Sequence, residues 1–258
     1  MKINFIIILL VGVVFSACDD SFLDRYPLDV FSDSSLWSSV PDAEAALNGC
    51  YNNWEDGHRV IYMDVASDNE YNQFPWRNYT QLGNMQLLTP TNTGAHRWSF
   101  TTIQRCNWFL ENIDKVSMDD SLRKQMKGEA RFLRAYRYFI AQQLYGDFPL
   151  VTETLTPEQA DKQVIVDFVI NELNEIAQDL PLRYPQENGR ITRGAALGLK
   201  SRIELYQKDY ESCIKSSQAI ISSGVYDLFP DYAGVFRIQN EHNEEVILNV
   251  EYLENEFP

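Results

Sequence analysis

Between Ser67 and Tyr79 the sequence runs Ser-Asp-Asn-Glu-Tyr-Asn-Gln-Phe-Pro-Trp-Arg-Asn-Tyr, placing four aromatic rings within the nine positions from Tyr71 onward. Asp68, Asn69, Glu70, Asn72, Gln73, Arg77 and Asn78 are interleaved with them. Flat faces beside amide, carboxylate and guanidinium groups suit a ligand that has both an apolar C–H face and radiating hydroxyls, as a sugar ring does. Trp76 offers the largest face, Tyr71 and Tyr79 flank it, and Asn72 and Arg77 supply hydrogen bonds. The competing reading is structural: Phe74 and Trp76 pin a long loop to its scaffold.

A second chemical position lies near the N-terminus. Lys2 precedes an apolar run from Phe5 to Phe15, then Ser16 and Ala17 stand directly before Cys18. The run is short of the roughly 20 residues that span a bilayer and has the size of a secretory signal's apolar centre. Small residues before a cysteine suit a peptidase that cuts there and leaves the thiol to carry a diacylglycerol. Residues 1–17 are therefore expected to be a lipoprotein signal peptide and Cys18 the point of lipid attachment, with acyl chains as the membrane anchor. An ordinary signal peptide with a chance cysteine is the alternative.

Catalytic and metal-binding patterns are missing from the sequence. His58, His96 and His242 are scattered, with no paired spacing for a metal. There is no G-x-S-x-G elbow and no phosphate loop. Asp64, Asp68 and Glu70 have no spacing that would wrap a calcium ion. No cofactor is expected. Glu129, Arg131 and Arg134 are charged, but Glu129 and Arg131 do not share a helix face, and the two arginines, three apart, suit pinning neighbouring helices. Asp147 after Gly146 reads as a turn former.

Removing residues 1–17 leaves 241 residues, enough for one large domain or two small ones. The whole chain carries a net charge of -15, and the portion from Cys18 onward stands near -16, with 21 basic against 37 acidic side chains. Such a surface disfavours nucleic acid and a polybasic membrane patch. Cys50, Cys106 and Cys213 are widely spaced, and three buried, unpaired thiols are favoured over one disulfide with a thiol left over.

The elements that must hold these residues are mostly helical. After a polar tether from Asp19 to Ser35, Ala43, Ala46, Leu47 and Cys50 mark a first helix. Periodicity fails over residues 52–97, a long aromatic-rich loop region with a short helix expected around Val60 to Ser67. Helix is expected again from about Trp98 to Ile113, then from Asp120 to Tyr145. The latter carries one apolar stripe through Met126, Ala130 and Leu133 and another through Phe132, Tyr136 and Phe139, so it needs neighbours on two sides. Thr156-Pro157-Glu158-Gln159 reads as a capping box opening a helix that ends before Pro181. Residues 192–224 read as two antiparallel helices turning at Lys208-Asp209, with Gly194, Ala195, Ala196 and Gly198 allowing close approach, in the manner of a tetratricopeptide hairpin. Val246, Leu248 and Val250 alternate with polar residues and predict a strand over Glu245 to Tyr252.

Several stretches together resemble the SusD/RagB family of nutrient-binding outer-membrane lipoproteins of Bacteroidetes. They are Cys18 to Leu28, Leu36-Trp37, Asp42 to Tyr51, Gly128-Glu-Ala-Arg-Phe-Leu-Arg-Ala-Tyr-Arg-Tyr-Phe139, Leu144 to Leu150, Gly189 to Ala196 and Ser223 to Leu228. The resemblance covers the whole length and implies a tetratricopeptide-like helical scaffold with long irregular loops over residues 18–258. It implies capture of oligosaccharide without chemistry, and a partner: a SusC-like TonB-dependent outer-membrane barrel on which the lipoprotein sits as a hinged lid. It also implies a position on the outer membrane facing the cell exterior, where Asp19 and Asp20 look like a surface-export signal. Family members are considerably longer, so the sequence is expected to be an N-terminal portion, truncated at the C-terminus. The alternatives from other classes are a secreted glycan-cleaving enzyme and a helical-repeat adaptor that binds only protein.

Overall fold

The computed structural model describes residues 37–74, 78–84, 98–152, 159–184 and 189–251. In chain order the helices are α1 (Val40–Tyr51), α2 (Gly57–Val65), α3 (Asn78–Gly83), α4 (Thr101–Asn112), α5 (Asp120–Tyr145), α6 (Lys162–Ile176), α7 (Arg193–Tyr206) and α8 (Tyr210–Ile221). Short 3-10 turns follow α4 and α8 at Ile113–Lys115 and Ile238–Asn240. A two-residue antiparallel ladder joins β1 (Phe148–Pro149) to β2 (Gln159–Ala160), with Phe148 opposite Ala160. The fold is mostly α, as the sequence predicts.

The long helix α5 organises the rest. Asp119 caps it by accepting from the backbone N–H groups of Ser121 at 2.8 Å and Leu122 at 3.2 Å. Gly146, at φ 73°, ends it. Met126, Ala130 and Leu133 are buried along one stripe and Phe132 and Phe139 along the other. Both stripes are covered, by α4 on one side and α6 on the other, and α1 lies across α4 and α5. At Gly128 the backbone comes so near Leu180 that a Cβ there would lie 3.1 Å from its side chain.

From α4 onward each helix packs against the next in sequence, α4 on α5, α5 on α6, α6 on α7 and α7 on α8. That is the stacking of a helical-hairpin array. Thr192 caps α7 and Asp209 caps α8, as their positions predict. Between them Lys208 adopts φ 63°, and the Asp209 N–H donates back to the Glu204 carbonyl at 2.9 Å, which closes the hairpin turn. At Gly194 an added Cβ would lie 2.5 Å from the Tyr226 ring, so the chain beyond α8 folds back onto the start of α7 only because that position has no side chain.

Three expectations change. The segment 245–251 is irregular, not a strand. Ile247, Leu248 and Val250 pack against the core without pairing to another strand, so adjacent side chains, and not every second one, meet it. Trp98 to Phe100 precede α4 instead of opening it. The helix expected from the Thr156 capping box begins at Lys162 with Asp161 as its cap, its carboxylate accepting from the Gln163 N–H at 2.7 Å; positions 156–158 lie outside the described residues. Asp147 does shape a turn: its carboxylate accepts the Lys162 N–H at 2.9 Å and ties the end of α5 to the start of α6.

Candidate functional site

The aromatic loop is framed by α2 and α3, which pack against each other although the loop separates them in sequence. Gly83 permits the contact: a Cβ there would stand 2.6 Å from the Val65 carbonyl oxygen. Tyr62 of α2 and Tyr79 of α3 stack with ring centroids 5.6 Å apart and planes 18° from parallel. The loop leaves α2 through Ser67, whose hydroxyl donates to the Asp64 carbonyl at 2.7 Å and accepts the Asn69 N–H at 3.1 Å. Further on, the Asn72 side-chain oxygen accepts the Phe74 N–H at 2.9 Å.

These contacts separate the sequence-predicted residues by role. Tyr71 is 73% exposed and Phe74 39% exposed, with Asp68, Asn69 and Glu70 exposed beside them. Tyr71 is therefore available to a ligand. Tyr79 has one face committed to Tyr62, and the Asn72 oxygen is committed to the loop's own turn. Trp76 and Arg77 lie outside the described residues, as do Cys18 and residues 1–17.

A polar centre that sequence spacing does not reveal lies between α1, α5 and the chain before α7. The Glu129 carboxylate is 1% exposed. One oxygen accepts from the Tyr51 hydroxyl at 2.6 Å and pairs with Arg190 at 3.3 Å. The other accepts from the Tyr184 hydroxyl at 2.8 Å and the Gln125 amide at 3.5 Å. Tyr51 in turn accepts the Ile191 N–H at 2.9 Å, and the Arg190 guanidinium lies over its ring at 5.4 Å. Burial, then the neighbouring Glu129 charge, holds the Tyr51 and Tyr184 hydroxyls well above the usual phenol range. A carboxylate surrounded by four donors is a structural hub, in agreement with the scaffold role expected of this motif. The sequence signal was Glu129 itself, a charge set between Met126, Ala130 and Leu133 on a buried stripe.

Arg131 and Arg134 pin α6, also as expected. Glu172 accepts from Arg131 Nε at 3.0 Å and a terminal Arg131 nitrogen at 2.7 Å, and from Arg134 at 2.7 Å. Arg134 continues to Asn107 of α4 at 2.7 Å, and Asn107 donates to the Val151 carbonyl at 2.9 Å. Cys50 and Cys106 are buried free thiols, whereas Cys213 is only half-buried, against expectation. Among the described residues no group of three or more His, Cys, Asp or Glu side chains could hold a metal, and no helix is long and apolar enough to cross a membrane.

Residues 26–205 match the model of a SusD-like family described as starch-binding and associating with the outer membrane. A SusD-like protein of Bacteroides ovatus is 24% identical over 98% of this chain and 50% of its own length. The starch-binding protein SusD of Bacteroides thetaiotaomicron is 27% identical over 57% of this chain and 28% of its own. Among solved structures, a SusD-like protein of Bacteroides fragilis superposes with a TM-score of 0.80 at 27% identity, covering 90% of this chain and 48% of that one. A laminarin-binding SusD-like protein shares the fold, with a TM-score of 0.75 at 24% identity over 82% of this chain and 51% of that one. The chain thus spans about half the length of the relatives it matches from end to end.

Proposed function

Because this chain belongs to the SusD-like family, we propose that it is the scaffold and aromatic-loop portion of a non-catalytic glycan-binding lipoprotein. Its ligand is an oligosaccharide held at the loop between α2 and α3, where Tyr71, Trp76 and Tyr79 stack on sugar faces and Asn72 and Arg77 bond hydroxyls. It is anchored by lipid on Cys18, faces the cell exterior, and passes its ligand to a SusC-like TonB-dependent barrel. The observation that carries the reading is the loop itself. Two packed helices bring its ends together and leave Tyr71 73% exposed, a placement without value to the core. That one relative is a starch-binding protein and one structural neighbour a laminarin-binding protein supports an oligosaccharide as the ligand class.

Retention on insoluble polysaccharides, with the supernatant assayed for released sugar, tests this in the full-length protein. Capture predicts retention without product, and Tyr71→Ala should weaken it by about 1–3 kcal/mol, the scale of a hot-spot truncation, with little loss of thermal stability. Released product would instead make the protein a glycan-cleaving enzyme, and neither retention nor product would favour a protein-binding adaptor.

A further inference from the structure

A cavity of about 320 Å³ opens between α1, the first half of α5 and the segment that follows Leu180. It shares no residue with α2, α3 or the loop they frame. Its walls divide by chemistry. Leu47 and Met126, 1% and 2% exposed, contribute an apolar side. Asn48, Gln125 and Arg183 bring amide and guanidinium groups to it, and the Tyr184 ring stands among them.

We propose that this cavity is a second carbohydrate site, which takes a single pyranose ring. Three features select that ligand. A pyranose needs one apolar wall for its C–H face and several directional polar groups for its hydroxyls, and both are present here. The charged side chains around the cavity are two carboxylates, Glu44 and Glu129, and two guanidiniums, Arg183 and Arg190. The lining therefore has no net sign, which favours a neutral polyol over an anion or a cation. The walls are also set before anything binds. The Tyr184 hydroxyl is fixed to buried Glu129 at 2.8 Å, and Arg190 is fixed to the same carboxylate at 3.3 Å. Little side-chain ordering then opposes a small ligand, and the volume lies at the lower end of small-molecule pockets. The ligand class rests on the glycan-binding reading above; the location rests on the cavity alone.

Saturation-transfer NMR on the full chain tests the site, with the methyl pyranosides of glucose, galactose, mannose and xylose as probes. Asn48 is exposed on α1 at the cavity wall, so Asn48→Trp places an indole in the cavity without touching the core. At least one probe should receive signal from the wild type and from Tyr71→Ala. It should lose that signal about tenfold in Asn48→Trp and, with no added bulk, in Gln125→Ala. No transfer to any of the four from the wild type, or undiminished transfer in both cavity variants, would overturn the proposal. So would loss confined to Tyr71→Ala. Polysaccharide retention measured on the same wild-type preparation separates the two readings. Retention without pyranoside transfer removes the cavity alone, and absence of both removes the glycan reading as well.

Discussion

Glu172 is the partner that Arg131 and Arg134 of the long helix share. It is 7% exposed, and Arg134 beside it is also 7% exposed, so neither charge has water to fall back on. Phe168 adds a face for the Arg134 guanidinium, 5.4 Å from its ring centroid. Replacing Glu172 by Ala would leave Arg134 buried without its carboxylate, a change that costs about 3–5 kcal/mol when a buried pair is broken from one side. Urea unfolding of Glu172→Ala should show that loss as a lower midpoint. Arg131, which also reaches the exposed Glu175 at 2.5 Å, keeps a partner in the variant. Arg131→Ala should therefore cost less than Arg134→Ala, and the reverse order would contradict the roles assigned here.

At the scale of elements, helix starts carry the pH dependence. Asp119 and Asp209 cap α5 and α8, and bonds from Ser121 and Ser212 respectively hold both carboxyls below their ordinary value of 3.8. A depressed folded value means that the caps stabilise above the unfolded value and lose that effect as pH falls through the folded one. The amides of Ser121, Leu122 and Ser212 should exchange with solvent progressively faster, relative to an unfolded reference, as pH drops below about 4, while amides in mid-helix stay protected. The same caps explain which elements were legible in the sequence. α5 and the α7–α8 hairpin combine a strong 3.6-residue stripe with Asp or Thr at the start, so local signals and packing agree. α3 has six residues, too few to display a period, and nothing in the sequence marked it. The strand expected at 245–252 failed for another reason. The adjacent Ile247 and Leu248 both meet the core, so the apparent alternation does not mark one buried face, and a strand also needs a backbone partner, which these residues do not specify. The aromatic loop was legible by composition. The roles within it were not, because the Tyr62–Tyr79 stack depends on how α2 meets α3.

Across the whole molecule, Tyr51, Tyr138 and Tyr184 each tie a helix to a loop through the hydroxyl. Burial pushes Tyr138 up to about 12, and burial with the Glu129 charge raises Tyr51 and Tyr184 further. All three are raised above the ordinary 10, so the stability they confer is complete below pH 10 and is lost as pH climbs through the folded values. Alkaline titration followed by phenolate absorbance tests this. A delayed, cooperative step should follow, coincident with loss of helical circular dichroism, and Tyr51→Phe should make that delayed step smaller. The Glu129 hub also has a consequence in time. Its bonds join residues 78, 55 and 61 positions apart, and the Ile191 N–H to Tyr51 link closes 140 positions. The α5–α6 and α7–α8 pairs need only neighbouring segments, but the hub cannot assemble until α1 has met both α5 and the chain before α7, and loop closure makes such contacts late. Interactions formed after the rate-limiting barrier act on escape from the native state, not on entry to it. Tyr51→Phe should therefore leave the refolding limb of a stopped-flow chevron nearly unchanged. A loss of about 1–2 kcal/mol would appear instead as unfolding about 5–30 times faster, making this hub the latch that sets how long the folded chain persists.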